Sequence, residues 1–100
     1  MTTVLALSGA ESQLIDLYNK FEDWREGLGD SFDNDYRDAC SMLATHPEIG
    51  PRYEGRLRRL LMLKWQIGLF YAIEGNRVLI HAALDVRQSP ENIRRRLGLI

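Results

Sequence analysis

One hundred residues suffice for one hydrophobic core, and the 45% hydrophobic and 27% charged composition is that of a globular chain. No apolar run reaches the ~18–20 residues a membrane helix needs, which excludes a membrane-spanning role. The formal charge of −1 hides a split: residues 1–50 carry ten acids and three bases, and residues 51–100 carry four acids and ten bases.

Either the two halves offset each other within one domain spanning residues 1–100, or the basic half meets a polyanion or an acidic partner. Met1–Leu5 has neither a basic leader region nor a long apolar stretch, so no secretory signal is expected. Cys40 is the sole cysteine, which fits a reducing, cytoplasmic setting.

In chain order, Thr3–Leu7 is short and β-prone and predicts an opening strand. Ser8 and Glu11 have capping-box spacing for a helix start. Leu14, Leu17, Tyr18, Phe21, Trp24 and Leu28 then mark one helix face, ended by Gly27 and Gly29. Asp30 or Ser31 is the expected cap of a second helix, with Phe32, Tyr36, Ala39, Cys40 and Leu43 on its apolar stripe. Pro47 stops it, since the residue before a proline avoids the α region. The short link predicts an antiparallel helical hairpin.

The period then changes. Arg56–Leu63, Trp65–Ile73 and Val78–Val86 read as strands, with a turn at Gly75-Asn76. That tip pairs Trp65 with Val86, Ile67 with Leu84, Leu69 with Ala82, Tyr71 with Ile80 and Ile73 with Val78, all on the face turned to the helices. The other face would hold Lys64, Gln66, Gly68, Phe70 and Ala72 opposite Arg87, Asp85, Ala83, His81 and Leu79. Ser89-Pro90-Glu91 opens a last short helix, with Arg94, Arg95 and Arg96 at its far end, where positive charge suits the helix dipole. The fold class is α+β: a strand, a two-helix hairpin, a three-stranded antiparallel meander and a C-terminal helix.

His46, His81 and Cys40 have no metal-ligand spacing, and no glycine-rich phosphate loop joins a strand to a helix, so neither metal nor cofactor is expected. Cys40 and both tryptophans, Trp24 and Trp65, fall on apolar stripes and read as core. The chemistry-bearing set is on the second sheet face: Lys64, Gln66, Phe70, His81, Asp85 and Arg87, beside Arg56, Arg58 and Arg59. Guanidinium groups on a rigid sheet suit phosphates or carboxylates, Phe70 a stacking contact, and His81 a proton transfer. The alternative is a solvated sheet face with incidental apolar groups.

The order of elements resembles the RelE/ParE toxin superfamily. His46-Pro47-Glu48-Ile49-Gly50 is similar to the family's stop after the second helix. Arg58-Arg59-Leu60 is similar to the start of its next strand, and Ile67–Ile73 to its central strand. Leu84–Pro90 and Ile93–Leu97 resemble the tail of ParE-branch plasmid-stabilisation proteins. The resemblance implies a bacterial type II toxin neutralised by a cognate antitoxin encoded beside it, in a hetero-oligomer. ParE-branch members inhibit DNA gyrase by binding; RelE-branch members cut mRNA in the ribosome. Many relatives carry His where this chain has Asp85. The sequence pI near 6.1 and the lack of Tyr or His after His81 also favour the ParE branch.

The ParE reading implies target contacts through Arg58, Arg59, Lys64, Phe70, His81, Asp85 and Arg87, with no catalytic residue. The helical hairpin and a sheet edge would take the antitoxin. The RelE reading implies catalysis by Arg87, His81 and Arg59. A third reading is a non-toxic relative acting as an interaction domain.

Overall fold

The computed structural model describes residues 2–100. Strand β1 (Thr3–Ala6) leads into helices α1 (Ser8–Trp24) and α2 (Leu28–Thr45). Strands β2 (Arg52–Glu54), β3 (Leu57–Met62), β4 (Ile67–Glu74) and β5 (Arg77–Asp85) follow, then helix α3 (Pro90–Arg96). The sheet order is β1-β5-β4-β3-β2, with β1 parallel to β5 and the other pairs antiparallel. The meander therefore has one strand more than the sequence suggested, because Gly55 at φ +57° turns Arg52–Glu54 back onto β3.

Both helix starts differ in chemistry from the expected caps. Ser8 is the first helical residue, and Leu7 is the N-cap without a side-chain bond. The second helix starts at Leu28, ahead of Asp30 and Ser31, with Gly27 at φ +90° as its N-cap. The carboxylate of Glu22 supplies the cap from the neighbouring helix: it accepts from the Gly27 amide at 3.0 Å and the Gly29 amide at 2.9 Å. Asp30 instead accepts from the Tyr18 hydroxyl at 2.6 Å, which pushes that phenol up to about 12. The helices cross closely there, since a Cβ on Gly29 would meet Glu22 Oε1 and the Tyr18 carbonyl at 2.9 Å. The start of α3 is as expected, with Ser89 Oγ accepting from the Asn92 amide at 3.1 Å.

The hairpin tip has the expected register, Ile73 opposite Val78 and Tyr71 opposite Ile80. Past that point the register slips by one: Phe70 faces Ala82, Leu69 faces Ala83 and Ile67 faces Asp85. His81 is the extra residue of a β-bulge, so the expected partners of Leu69, Ile67 and Phe70 are corrected by one position. The bulge reverses the alternation of β5. Val78 and Ile80 pack with Tyr71, Leu43 and Ala10 under the helical hairpin, and Ala83 joins Ile67, Leu69, Phe21, Phe32 and Trp65 there. Ala82 and Leu84 turn to the opposite face with Phe70 and Ile93.

That second face is not the half-polar surface read from the sequence. It is a second core, closed by α3 and by Tyr53 of the added strand. Arg94 fastens the helix to β2 through two 2.9 Å bonds to the Glu54 carboxylate, which hold that carboxyl below its usual range.

Tyr71 ties the sheet to the loop after α2. Its ring is buried; its hydroxyl accepts from the Gly50 amide at 2.9 Å and donates to the Pro47 carbonyl at 2.7 Å. Tyr71→Phe removes the partner of both groups and is expected to cost roughly 1–3 kcal/mol, read from the urea midpoint.

Candidate partner-binding cleft

At the open end of the β4–β5 pair, four segments meet. Met62 ends β3, and Leu63–Trp65 form one 3-10 turn where the end of one expected strand (Leu63) and the start of the next (Trp65) were read. The turn closes on Gln66, the one non-glycine residue at positive φ among those described, at +56°. Strain of this kind is held only where its surroundings fix it, and it concentrates at functional sites. Here the Gln66 side chain donates to the Leu63 carbonyl at 2.8 Å, and the Gln66 backbone carbonyl accepts from the Val86 amide at 3.0 Å. These bonds pin the turn against the end of β5 and set Lys64 and Gln66 in one wall with Arg87.

The facing wall comes from α1 and the start of α2. Phe21, Trp24 and Leu28 line the same cleft, of about 190 Å³, with Trp65 as its floor. Trp65 is buried: its ring packs on Phe21 and Phe32, and its Nε1–H donates to Asp35 at 2.8 Å. Trp24, expected in the core, is 65% exposed and meets Phe21 edge-on. It ends α1 beyond the last core residue of the stripe. Lys20 lies 5.7 Å from the Trp24 ring and Lys64 lies 5.0 Å from the Trp65 ring, so cations sit over both indoles. Lys20 also lines the adjoining cleft with Asp85 and Arg96. The result is an apolar slot with Lys64 and Arg87 in its wall and Lys20 over its exposed indole, and a second cleft that joins Lys20 and Arg96 to the acids Asp16 and Asp85.

The fold has a counterpart among solved structures. A chain described as the chromosomal ParDE TA system from P. aeruginosa superposes with a TM-score of 0.64, over 86% of this chain and 97% of that one. The chain has a ParDE-type fold. Sequence identity is 13%, so the likeness is one of architecture. No family model matches the chain, and no curated protein matches it by sequence.

The ParDE-type fold brings together three of the residues singled out from the sequence and scatters the others. Lys64, Asp85 and Arg87 are neighbours at the cleft. Asp85 accepts from the Arg87 backbone amide at 2.8 Å, from Nε at 3.1 Å and from Nη2 at 2.6 Å. These bonds hold the Asp85 carboxyl below its usual range.

Arg58 and Arg59 part company, because successive strand residues point to opposite faces. Arg58 lies opposite Tyr71, on the hairpin side, and donates to the carbonyls of Gly50 at 2.9 Å and Glu48 at 3.2 Å. It anchors the loop after α2. Arg59 lies opposite Phe70, and its stem packs by Gly68. Phe70, expected on the surface, is 0% exposed and lies inside the second core. His81 is exposed at the bulge, four residues up the strand from Asp85, roughly 13 Å at 3.3 Å per residue. Arg59 is the nearer of the two to the cleft, since its stem and Val86 both pack at Gly68.

Trp24 and Lys20, which meet at this cleft, were not among the residues singled out from the sequence. The signal for Trp24 was its position, three residues ahead of Gly27, where a helix stripe outruns the sheet beneath it. Cys40 is half-buried beside Tyr36, and burial pushes its thiol up, away from the reactive thiolate.

Two further grooves flank α2. One of about 580 Å³ between α1 and α2 joins Leu14, Ile15, Tyr18 and Tyr36 to the acids Glu11, Asp30 and Asp33. The other, about 310 Å³, runs between α2 and β3 past Met42, Leu61 and Leu63, with Asp35 and Asp38 at its rim. Strand β2 pairs with β3 only at Leu57 and Arg58, so among the described residues Leu60–Met62 have no strand on their outer side. No helix among the described residues is long and apolar enough to cross a membrane.

Proposed function

We propose that this chain is the toxin of a type II toxin–antitoxin pair and that it acts by binding DNA gyrase, with no chemistry of its own. The observation that carries the reading is the ParDE-type fold, matched over 86% of the chain at a TM-score of 0.64. The cleft between α1 and the β3–β4 turn is the target face. Trp24 and Arg87 are residue types enriched at protein interfaces, and Lys64 adds a second cation at the border of the exposed indole.

The cognate antitoxin takes the two grooves beside α2, one of which shares Lys64 and Trp65 with the target cleft. Its apolar, basic-flanked segment would fill the acid-rimmed groove of the helical hairpin, and an extended portion would pair with the outer edge of β3. Both surfaces belong to the acidic half of the charge split or adjoin it.

Inducing the chain alone is expected to arrest growth. Co-inducing the neighbouring small reading frame is expected to restore growth and to yield a co-purifying complex. Normal growth on induction of a folded, abundant chain would leave only the non-toxic interaction domain.

A further inference from the structure

The carboxylate of Asp85 occupies the part of Arg87 that an arginine uses to grip phosphate. Guanidinium recognition of phosphate relies on two parallel N–H donors, and the Nε and Nη2 edge is one such fork. Here Nε donates to Asp85 Oδ1 at 3.1 Å and Nη2 to Oδ2 at 2.6 Å. The backbone amide of Arg87 adds a third bond to the same carboxylate at 2.8 Å, so Asp85 is itself fixed in place. The partners are two residues apart, on the turn that leaves β5, and the pair closes without ordering a long loop.

An incoming phosphate must either break both side-chain bonds or take the remaining Nη1–Nη2 edge beside the fixed carboxylate, and in both places like charges repel. A protein surface meets no such barrier. It can cover Trp24 and Leu28 and accept from the remaining N–H groups of Arg87 with the ion pair intact.

We infer that Asp85 is a specificity-determining residue: it occupies the Nε–Nη2 fork of Arg87, sets a negative charge beside the other edge, and so keeps the cleft a protein site instead of a nucleic-acid site. The inference rests on the reading of this cleft as the target face.

The test uses the purified full chain and fluorescently labelled single-stranded RNA, single-stranded DNA and duplex DNA, with anisotropy recorded across a salt series. Asp85→Asn keeps an acceptor oxygen for the Arg87 amide and removes the charge; Asp85→Ser keeps a hydroxyl acceptor and serves if the first variant folds poorly. Either variant is expected to bind at least one of these oligonucleotides about tenfold more tightly than the parent at low salt. The slope of log K against log salt should steepen by about 0.7–0.9, one added phosphate contact. Adding Arg87→Gln to the Asp85 variant should abolish the gain, while Arg87→Gln alone changes nucleic-acid binding little.

A parent chain that binds as tightly as the variants overturns the inference, as does a gain that survives without Arg87. No gain in either folded variant, with growth arrest retained, removes the role of Asp85 and leaves the toxin reading standing. The gain without any arrest by the parent chain does the reverse.

Discussion

Phe70→Ala is expected to remove about 3–5 kcal/mol of stability, the usual cost of truncating a fully buried aromatic ring. Phe70 is 0% exposed, meets Tyr53 edge-on at 5.0 Å between centroids, and shares its core with Ala82, Leu84 and Ile93. The loss is a large fraction of the ~5–15 kcal/mol that holds a domain folded. It also strips α3 of part of the surface it docks on. Urea denaturation followed by far-UV circular dichroism reads the midpoint directly. A surface stacking group in the same position would shift stability by no more than about 0.5 kcal/mol, so a small shift would mean that the second core is misplaced.

Trp24→Ala is expected to behave in the opposite way. The indole is 65% exposed and its aromatic contact is one edge-on pair with Phe21, so the folding cost should stay near the 0.5–1.5 kcal/mol of one aromatic pair. Its effect on partner binding should be large. A central tryptophan in a protein interface is worth about 2 kcal/mol or more, roughly thirtyfold in affinity. Titrating parent and variant into a gyrase supercoiling assay compares their potency, and melting curves check that both are folded. Equal potency would move the target face away from this cleft.

These two residues exchange the roles their sequence context suggests, and the reason is geometric. The stripe of α1 continues to Trp24, but the sheet beneath supplies core only as far as Phe21. Periodicity reports which side of a helix is apolar; it does not report where the opposing layer stops. Phe70 was read as exposed because an antiparallel sheet often has one face in water. In β4, Ile67–Ala72 are all buried, so this pair is covered on both sides. A doubly covered strand loses the polar–apolar alternation that marks its faces. The bulge at His81 was hidden for the same reason, since apolar residues flank it in either register.

The helices, the hairpin tip and the start of α3 were legible because each carries local chemistry: a 3.6-residue stripe, a glycine–asparagine tip, a Ser-Pro start. The cap of α2 was not, because Glu22 reaches it from another helix. The separation of Arg58 from Arg59 was legible and passed over, since adjacent strand residues diverge. The charge split proves informative but uneven. Arg58 and Arg94 are spent on internal fastening, and Lys20 from the acidic half joins the basic border of the cleft. What remains for a partner is a small cationic frame around an indole, in place of a phosphate-binding sheet.

Gyrase supercoiling in the presence of the purified chain tests the central claim most directly. The account predicts inhibition at micromolar concentration, relieved by equimolar antitoxin and weakened about thirtyfold in Trp24→Ala. Supercoiling untouched by a folded chain that still arrests growth would contradict it, the more so if transcripts in the arrested cells were cut at codon-positioned sites.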